Sequence, residues 1–264
     1  GAAPRERDVW YVFTADGQRY GSLQIQVARQ ADGNYRLTRR FRMLVDVLGA
    51  NRETLTSHGE YVVTPDYRPV SCDAESERDS GKSRVSGRLE GNSFVIHSSR
   101  GGIDRATTLE PTVILEPFLE DWLADRPSDV QSAHVGLFDE EAGRVIPTTN
   151  ARLASSETET AWSVDRGELL GKQRIVLGAD GIKMNSSTED VASELNRSTA
   201  DEARDQTHRK LDGPQLLMFP IEKDLGDPGR LEALTVELRW KEIPLDWFGL
   251  TDERQHVVEQ SNEG

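Results

Sequence analysis

The sequence is poor in several features that support common functions. It holds one cysteine, Cys72, in 264 residues, which excludes an intramolecular disulfide and a multi-cysteine metal site. No apolar stretch approaches the roughly 20 residues that span a bilayer. The chain carries a formal net charge of −14, and its Lys and Arg residues are scattered. We therefore predict that it binds neither the phosphate backbone of nucleic acids nor an anionic membrane surface.

Motifs for catalysis and metal binding are also scarce. Cys72 follows Pro69-Val-Ser in a strand-like context, without a helix after it to lower the thiol pKa, which favours an incidental cysteine over a nucleophile. The five histidines occur singly and not in the paired spacing that ligates zinc. Acidic clusters such as Asp139-Glu-Glu141 do not match a calcium loop. We expect no enzymatic activity in this chain, no bound metal and no cofactor.

What the sequence does contain is a period-two alternation of apolar and polar residues, which predicts antiparallel strands with one buried face. Leu23, Ile25 and Val27 share a face of one such strand. Asp16-Gly17 and Asp32-Gly33 supply residues that tolerate hairpin turns. Further strands are predicted over residues 54–63, 68–75, 83–89, 93–98, 132–138, 143–147, 150–155, 160–165, 173–177 and 182–186.

One segment breaks the alternation. Phe118, Leu119, Trp122 and Leu123 recur at helical spacing, which predicts a helix that begins at Pro117 and ends before a second proline. A single helix with an apolar face among many strands is expected to cover the open side of a curved sheet.

Aromatic and methionine side chains on the predicted sheet and helix are candidates for lining an apolar cavity. The alternative is that the same side chains fill the core, and an aromatic content of only 6% favours that alternative. The candidate ligand-binding residues are Trp10, Phe41, Met43, Phe118, Trp122 and Trp162.

The predicted fold is mainly β. Residues 9–187 form a curved antiparallel sheet, a half-barrel of about ten strands around one helix. Residues 188–213 form a polar connector. The capping-box spacing of Thr199 and Glu202 predicts a helical turn or short helix near 199–210, and the alternative is a mobile connector, because that segment has few apolar residues on one face. Residues 214–264 form a small C-terminal β segment, in which Leu234, Val236 and Leu238 alternate with polar residues.

Parts of this pattern resemble a known type of domain. The stretch from Trp10 to Gly21, the Thr64-Pro65-Asp66 turn, the mid-chain helix and the hairpin from Leu177 to Met184 together resemble an all-β domain of exported bacterial proteins. That domain is the curved half-barrel of the lipoprotein-carrier type and of related domains of unknown function. The resemblance implies an extracytoplasmic protein, periplasmic or secreted, and the small and charged residues at 1–8 fit the remainder of a trimmed leader.

The tail adds a second resemblance. Phe219-Pro220-Ile221, the alternation over 234–239 and the stretch from Ile243 to Gln255 resemble the segment that joins such a β domain to the papain-like catalytic domain of bacterial transglutaminase-like proteins. The catalytic cysteine of that superfamily precedes a helix, and Cys72 does not. The resemblance therefore implies the non-catalytic amino-terminal part, linker-like toward a downstream domain.

Two functions follow as expectations. The first is a non-catalytic accessory or interaction module whose partner is a downstream catalytic domain on the same polypeptide, or another protein. The second is a carrier that binds a lipid or another apolar ligand inside the half-barrel. A glycan-binding module is less favoured because the chain is acidic and poor in aromatic residues.

Overall fold

The alternating segments of the sequence become neighbouring strands of one sheet in the computed structural model of the chain. The structure describes residues 3–204 except 16–17, 48–50, 79–80, 101–102, 111, 141–143, 168–170 and 189–192. The strands are β1 (Arg7–Ala15), β2 (Gln18–Arg29), β3 (Tyr35–Val47), β4 (Asn51–Val63), β5 (Pro69–Arg78), β6 (Gly81–Glu90), β7 (Ser93–Arg100), β8 (Ile103–Leu109), β9 (Ile114–Leu115), β10 (Ser132–Asp139), β11 (Arg144–Ser155), β12 (Glu159–Asp165), β13 (Lys172–Gly178), β14 (Lys183–Thr188) and β15 (Ser193–Ser198). The helical segments are a 3₁₀ turn over Glu116–Phe118, α1 (Leu119–Ala124) and α2 (Ala200–Arg204).

The described strands form a single sheet in the order β8-β7-β6-β5-β4-β3-β2-β1-β15-β14-β13-β12-β11-β10-β9. Consecutive strands pair with each other from β1 through β8, and again from β9 through β15. The described strands β8 and β9 do not pair. The two meanders join where β1 pairs antiparallel with β15, for example Phe13 with Leu195. Pairing is antiparallel except between β9 and β10. The first and last described strands are therefore neighbours at the centre of the sheet.

The connection between β8 and β9 requires the sheet to curl. These two strands are its opposite edges, and fifteen strands laid flat would separate them by roughly 65 Å at about 4.8 Å per strand. The chain from Leu109 to Ile114 spans at most about 18 Å. The two edges must approach each other at that end, which gives an open, strongly curved sheet. The predicted curved antiparallel architecture is confirmed.

The concave side of this sheet is filled by side chains and by the helix. Tyr11, Tyr61 and Trp162, from three distant strands, are almost fully buried in the same cluster as Phe118 and Leu123 of the helical segment. The predicted helix is thus present, as a 3₁₀ turn with Pro117 in it followed by α1. None of the described helices is long and apolar enough to cross a membrane.

The prediction of about ten strands is wrong, because the described residues contain fifteen. β15 has a single buried apolar residue, Leu195, and β9 is only two residues long, so neither has a clear period-two signal. Their backbone pairing with β1, β14 and β10 makes them strands.

The predicted connector over 188–213 contains part of the sheet, since β15 lies within it. α2 follows, where the Glu202 N–H donates to Thr199 Oγ1 (3.2 Å) and the Thr199 N–H donates to the Glu202 carboxylate (3.4 Å), the reciprocal arrangement of a capping box. The predicted β segment over 214–264 lies outside the described residues.

Candidate functional site

Four of the six candidate ligand-binding residues belong to one packed region. Phe118 and Trp162 have no exposed side-chain surface and lie in the buried core cluster. Phe41 and Trp122 are partly buried and pack against the same cluster. The structure brings these four side chains together. Whether they contact a ligand stays a prediction.

The other two candidates lie elsewhere. Trp10 is half-buried, and the guanidinium carbon of Arg204 in α2 lies 5.2 Å from the centroid of its ring. Met43 is half-buried at a position of β3 paired with Gly21 and Leu55, and it is not among the residues of the core cluster. The structure therefore does not unite all six residues around one space.

The helical segment is held in place by buried charges. Arg7 donates from Nη1 to Asp121 Oδ1 and from Nη2 to Asp121 Oδ2, both at 2.7 Å, and the Arg5 N–H donates to Asp121 Oδ1 at 3.0 Å. The side chains of Arg7 and Asp121 are only 3% and 1% exposed. Burial alone would lower the pKa of Arg7, but the Asp121 carboxylate outweighs it and the pKa is raised.

Two further carboxylates of the segment have cationic partners. Glu116 lies 3.5 Å from Arg39 and 3.2 Å from Arg166. Burial by itself would raise the pKa of Glu116, but these arginines, together with Lys183, hold it below its ordinary value. Lys183 also forms an ion pair with Glu120 of α1. The helical segment is therefore held by ion pairs to both meanders of the sheet, through Arg39 on β3 and Lys183 on β14.

The end of α1 is fixed by a third set of contacts. Asp125 accepts hydrogen bonds from Arg5 Nη2 at 2.9 Å and from the hydroxyl of Tyr67. Burial, followed by the hydrogen bond to Asp125, raises the pKa of Tyr67. The ion pairs of the helical segment join residues fifty or more positions apart, so no local sequence motif predicts them.

A cleft of about 230 Å³ opens beside this end of α1. Two hairpin turns, over 156–160 and 178–181, and the chain after α1 form its walls. It is distinguished by three arginines from separate parts of the chain: Arg5, Arg126 and Arg152.

Arg126 is fixed by the helix that it follows. Its Nε donates to the carbonyl oxygen of Trp122 at 3.1 Å, and its guanidinium carbon lies 4.2 Å from the centroid of the Trp122 ring. This distance is that of a cation–π contact, which restrains the guanidinium over the indole.

Arg152, on β11, is fixed by carbonyl groups of the chain after α1 and by the ring of Trp162. Its Nε donates to the carbonyl of Val130 at 3.1 Å, and its Nη2 donates to the carbonyls of Arg126 (3.1 Å) and Pro127 (2.9 Å). Its guanidinium carbon lies 4.6 Å from the centroid of the Trp162 ring. Within the described residues neither Arg126 nor Arg152 forms a salt bridge, so the cleft holds two ordered cations without a carboxylate partner.

Acidic residues line the same cleft from the hairpin turns. Glu157 and Glu159 are exposed at the turn between β11 and β12. Asp180 accepts a hydrogen bond from Arg197 at 3.0 Å. Burial would raise the pKa of Asp180, but a backbone N–H and Arg197 lower it. The cleft thus presents both signs of charge.

The single thiol is unsuited to nucleophilic chemistry. Cys72 is 4% exposed in β5, and burial, with a smaller contribution from Asp73, raises its pKa to about 12. The thiol is therefore protonated at neutral pH, whereas the nucleophile is the thiolate. Among the described residues no group of three or more His, Cys, Asp and Glu side chains is arranged to hold a metal ion.

Comparisons with known proteins bear on the fold. No family model matches the chain, and no curated protein sequence is significantly similar to it. A β-barrel-like protein of domain of unknown function DUF1849 from Brucella abortus is similar in structure, with a TM-score of 0.53 and 16% identity over 72% of this chain and 94% of that chain. A DUF1089 family protein from Pseudomonas aeruginosa gives a TM-score of 0.42 and 11% identity over 72% of this chain and 92% of that chain. The chain therefore has a β-barrel-like fold, similar to that of the DUF1849 protein.

Proposed function

We propose that this chain is a non-catalytic interaction module of an exported bacterial protein, which acts by contact with a partner. The partner is a catalytic domain further along the same polypeptide, as in the transglutaminase-like proteins that its sequence resembles, or a separate protein. The module contributes a rigid curved scaffold and no reacting group. A contact function requires a rigid scaffold, and the buried ion pairs around α1 stabilise one.

The observation that carries this proposal is the filling of the concave side by α1. Phe118 and Trp162 are fully buried there, and the buried pair of Arg7 with Asp121 locks the helix against β1. A carrier needs interior space for an acyl chain, and pockets for ligands of drug size are roughly 300–1,000 Å³. The arginine cleft is smaller, at about 230 Å³, and it is polar. Contact with a partner fits this arrangement better than storage of an apolar ligand.

Assays of the purified chain test the absence of catalysis. We expect no amidase, protease or transglutaminase turnover above that of a Cys72→Ala variant, because the thiol is buried and protonated. Turnover that disappears in the Cys72→Ala variant would overturn the proposal.

Native mass spectrometry separates the module from the carrier. The expected mass is that of the chain alone. A lipid that co-purifies with the chain in a fixed ratio would favour the carrier instead.

A further inference from the structure

The arginine cleft has the chemistry of a specific recognition site. We propose that it binds the carboxylate of a peptide segment, with Arg126 and Arg152 as the cationic contacts. This inference rests on the proposed function, that the module acts by contact, and it names the chemical group of the partner that is recognised.

The first argument is the number of hydrogen-bond donors that these two arginines keep available. A guanidinium has five N–H donors. Arg126 uses Nε alone in hydrogen bonding, and Arg152 uses Nε and Nη2, so Nη1 and Nη2 of Arg126 and Nη1 of Arg152 have no partner among the described residues. Both side chains are half-buried. A carboxylate is the group that guanidinium N–H donors bind in bidentate geometry.

The second argument is preorganisation. Each guanidinium is stacked on a tryptophan and hydrogen-bonded to main-chain carbonyls, so its side-chain freedom is already lost on folding. Ordering a flexible arginine at a binding site costs side-chain conformational entropy, and these two arginines incur little of that cost on binding. The exposed Arg88 on β6, by comparison, makes no such contact with the described residues.

The third argument selects a peptide carboxylate over a polyanion. The ionisable side chains of the lining are three arginines and three acids, Glu157, Glu159 and Asp180, so the lining has no formal excess of positive charge. A nucleic acid or polyphosphate would place several negative charges near those acids. A peptide segment with one carboxylate would place that charge at the arginines of the cleft. Its N–H groups would donate to the acidic residues that line the same cleft.

The size of the cleft agrees with this selection. A volume of about 230 Å³ corresponds to the space of about eight water molecules, at roughly 30 Å³ each. This is enough for a chain terminus or one acidic side chain, and the rest of the segment would lie along the surface.

Peptide titrations of the whole chain, followed by NMR, test the inference. The probes are N-acetylated tetra-alanine with a free C-terminal carboxylate, the same peptide as its C-terminal amide, and an amidated peptide with one internal glutamate. We expect the amide without glutamate to bind at least about tenfold more weakly than one of the two carboxylate probes, because a charged hydrogen bond is lost. Which carboxylate probe binds identifies the source as a chain terminus or a side chain.

Three variants locate the binding. Arg126→Gln should remove the preference for carboxylate, whereas the matched control Arg88→Gln should keep it. Glu159→Gln removes a negative charge from an exposed position without threatening the fold, and it should tighten carboxylate binding by about two- to fivefold, since a like charge is gone.

Several results would overturn the inference: equal binding of acid and amide, an unchanged preference in Arg126→Gln with no gain in Glu159→Gln, or binding of inorganic phosphate but of no peptide. The proposed function fails separately. Cys72-dependent turnover would refute the non-catalytic module whatever the result of the peptide titrations. If the chain shows neither turnover nor peptide binding, only the assignment of the cleft is refuted.

Discussion

Replacing Asp121 by asparagine should destabilise the domain severely. The carboxylate is 1% exposed and receives one hydrogen bond from each Nη atom of Arg7, both at 2.7 Å. In the asparagine variant an NH₂ group faces one of these donors, and Arg7 becomes a buried cation without a counter-charge. Two charged hydrogen bonds at about 1.5–3 kcal/mol each give about 3–6 kcal/mol. Breaking a buried ion pair by removing one partner costs about 3–5 kcal/mol, in agreement.

Urea denaturation followed by tryptophan fluorescence measures this loss as a change in the free energy of unfolding. The chain offers a matched control, because Arg84 also donates to both oxygens of Asp73, but on the exposed surface (side chains 61% and 54% exposed). Asp73→Asn should change the stability far less than Asp121→Asn, since exposed ion pairs are screened by water and salt.

The double variant Arg7→Met with Asp121→Asn removes both charges. It should be more stable than Asp121→Asn alone, because no unpaired charge remains buried. If Asp121→Asn costs no more than Asp73→Asn, or if the double variant is the sum of its single changes, the burial argument for this ion pair is refuted.

Three further measurements follow from the structure. The destabilisation by Glu116→Gln should be full above about pH 4.3 and should shrink as the pH falls below it, because the lowered pKa of Glu116 stabilises the fold only while the carboxylate is charged; urea denaturation across that range checks this. Cys72, with a pKa near 12, should not react with Ellman's reagent at pH 8 in the folded chain and should react once per chain in denaturant; fast reaction in the folded state would contradict its burial. Gly181→Ala should lower the free energy of unfolding more than Gly33→Ala in the same denaturation assay. Both glycines have a positive φ (71° and 87°), but of the two only Gly181 would place a Cβ 2.5 Å from Arg5 Nε. Equal losses of stability would contradict this contact.

Local pattern explains why most of the strands were predictable. In β2 the buried residues Leu23, Ile25 and Val27 alternate with polar ones, and the helical spacing of Phe118, Leu119 and Leu123 marks the inner helix. A strand or helix with one buried face leaves this periodicity in its own residues. β8 and β15 show almost no such alternation in their residues. They are strands because their backbones pair with β7 and β1, respectively.

The candidate site was not predictable in the same way. Arg126 and Arg152 are ordinary basic residues in the sequence, and their environment depends on the chain after α1 folding against β11. The aromatic residues are candidates for lining a cavity, but their low content in the sequence favours a filled core. The sequence did not indicate that Arg152 lies over the ring of Trp162, because that contact depends on the pairing of β11 with β12.

The sequence by itself determined the mainly β character and the position of the inner helix, because each depends on residue type or short-range spacing. Only the tertiary structure decided that β1 pairs with β15, that Arg7 meets Asp121 across 114 positions of chain, and that three arginines share one cleft. The physical reason is that pairing and burial are properties of contacts. A contact between distant residues is fixed by the order and curvature of the strands of the sheet, and it leaves no periodic pattern in either segment.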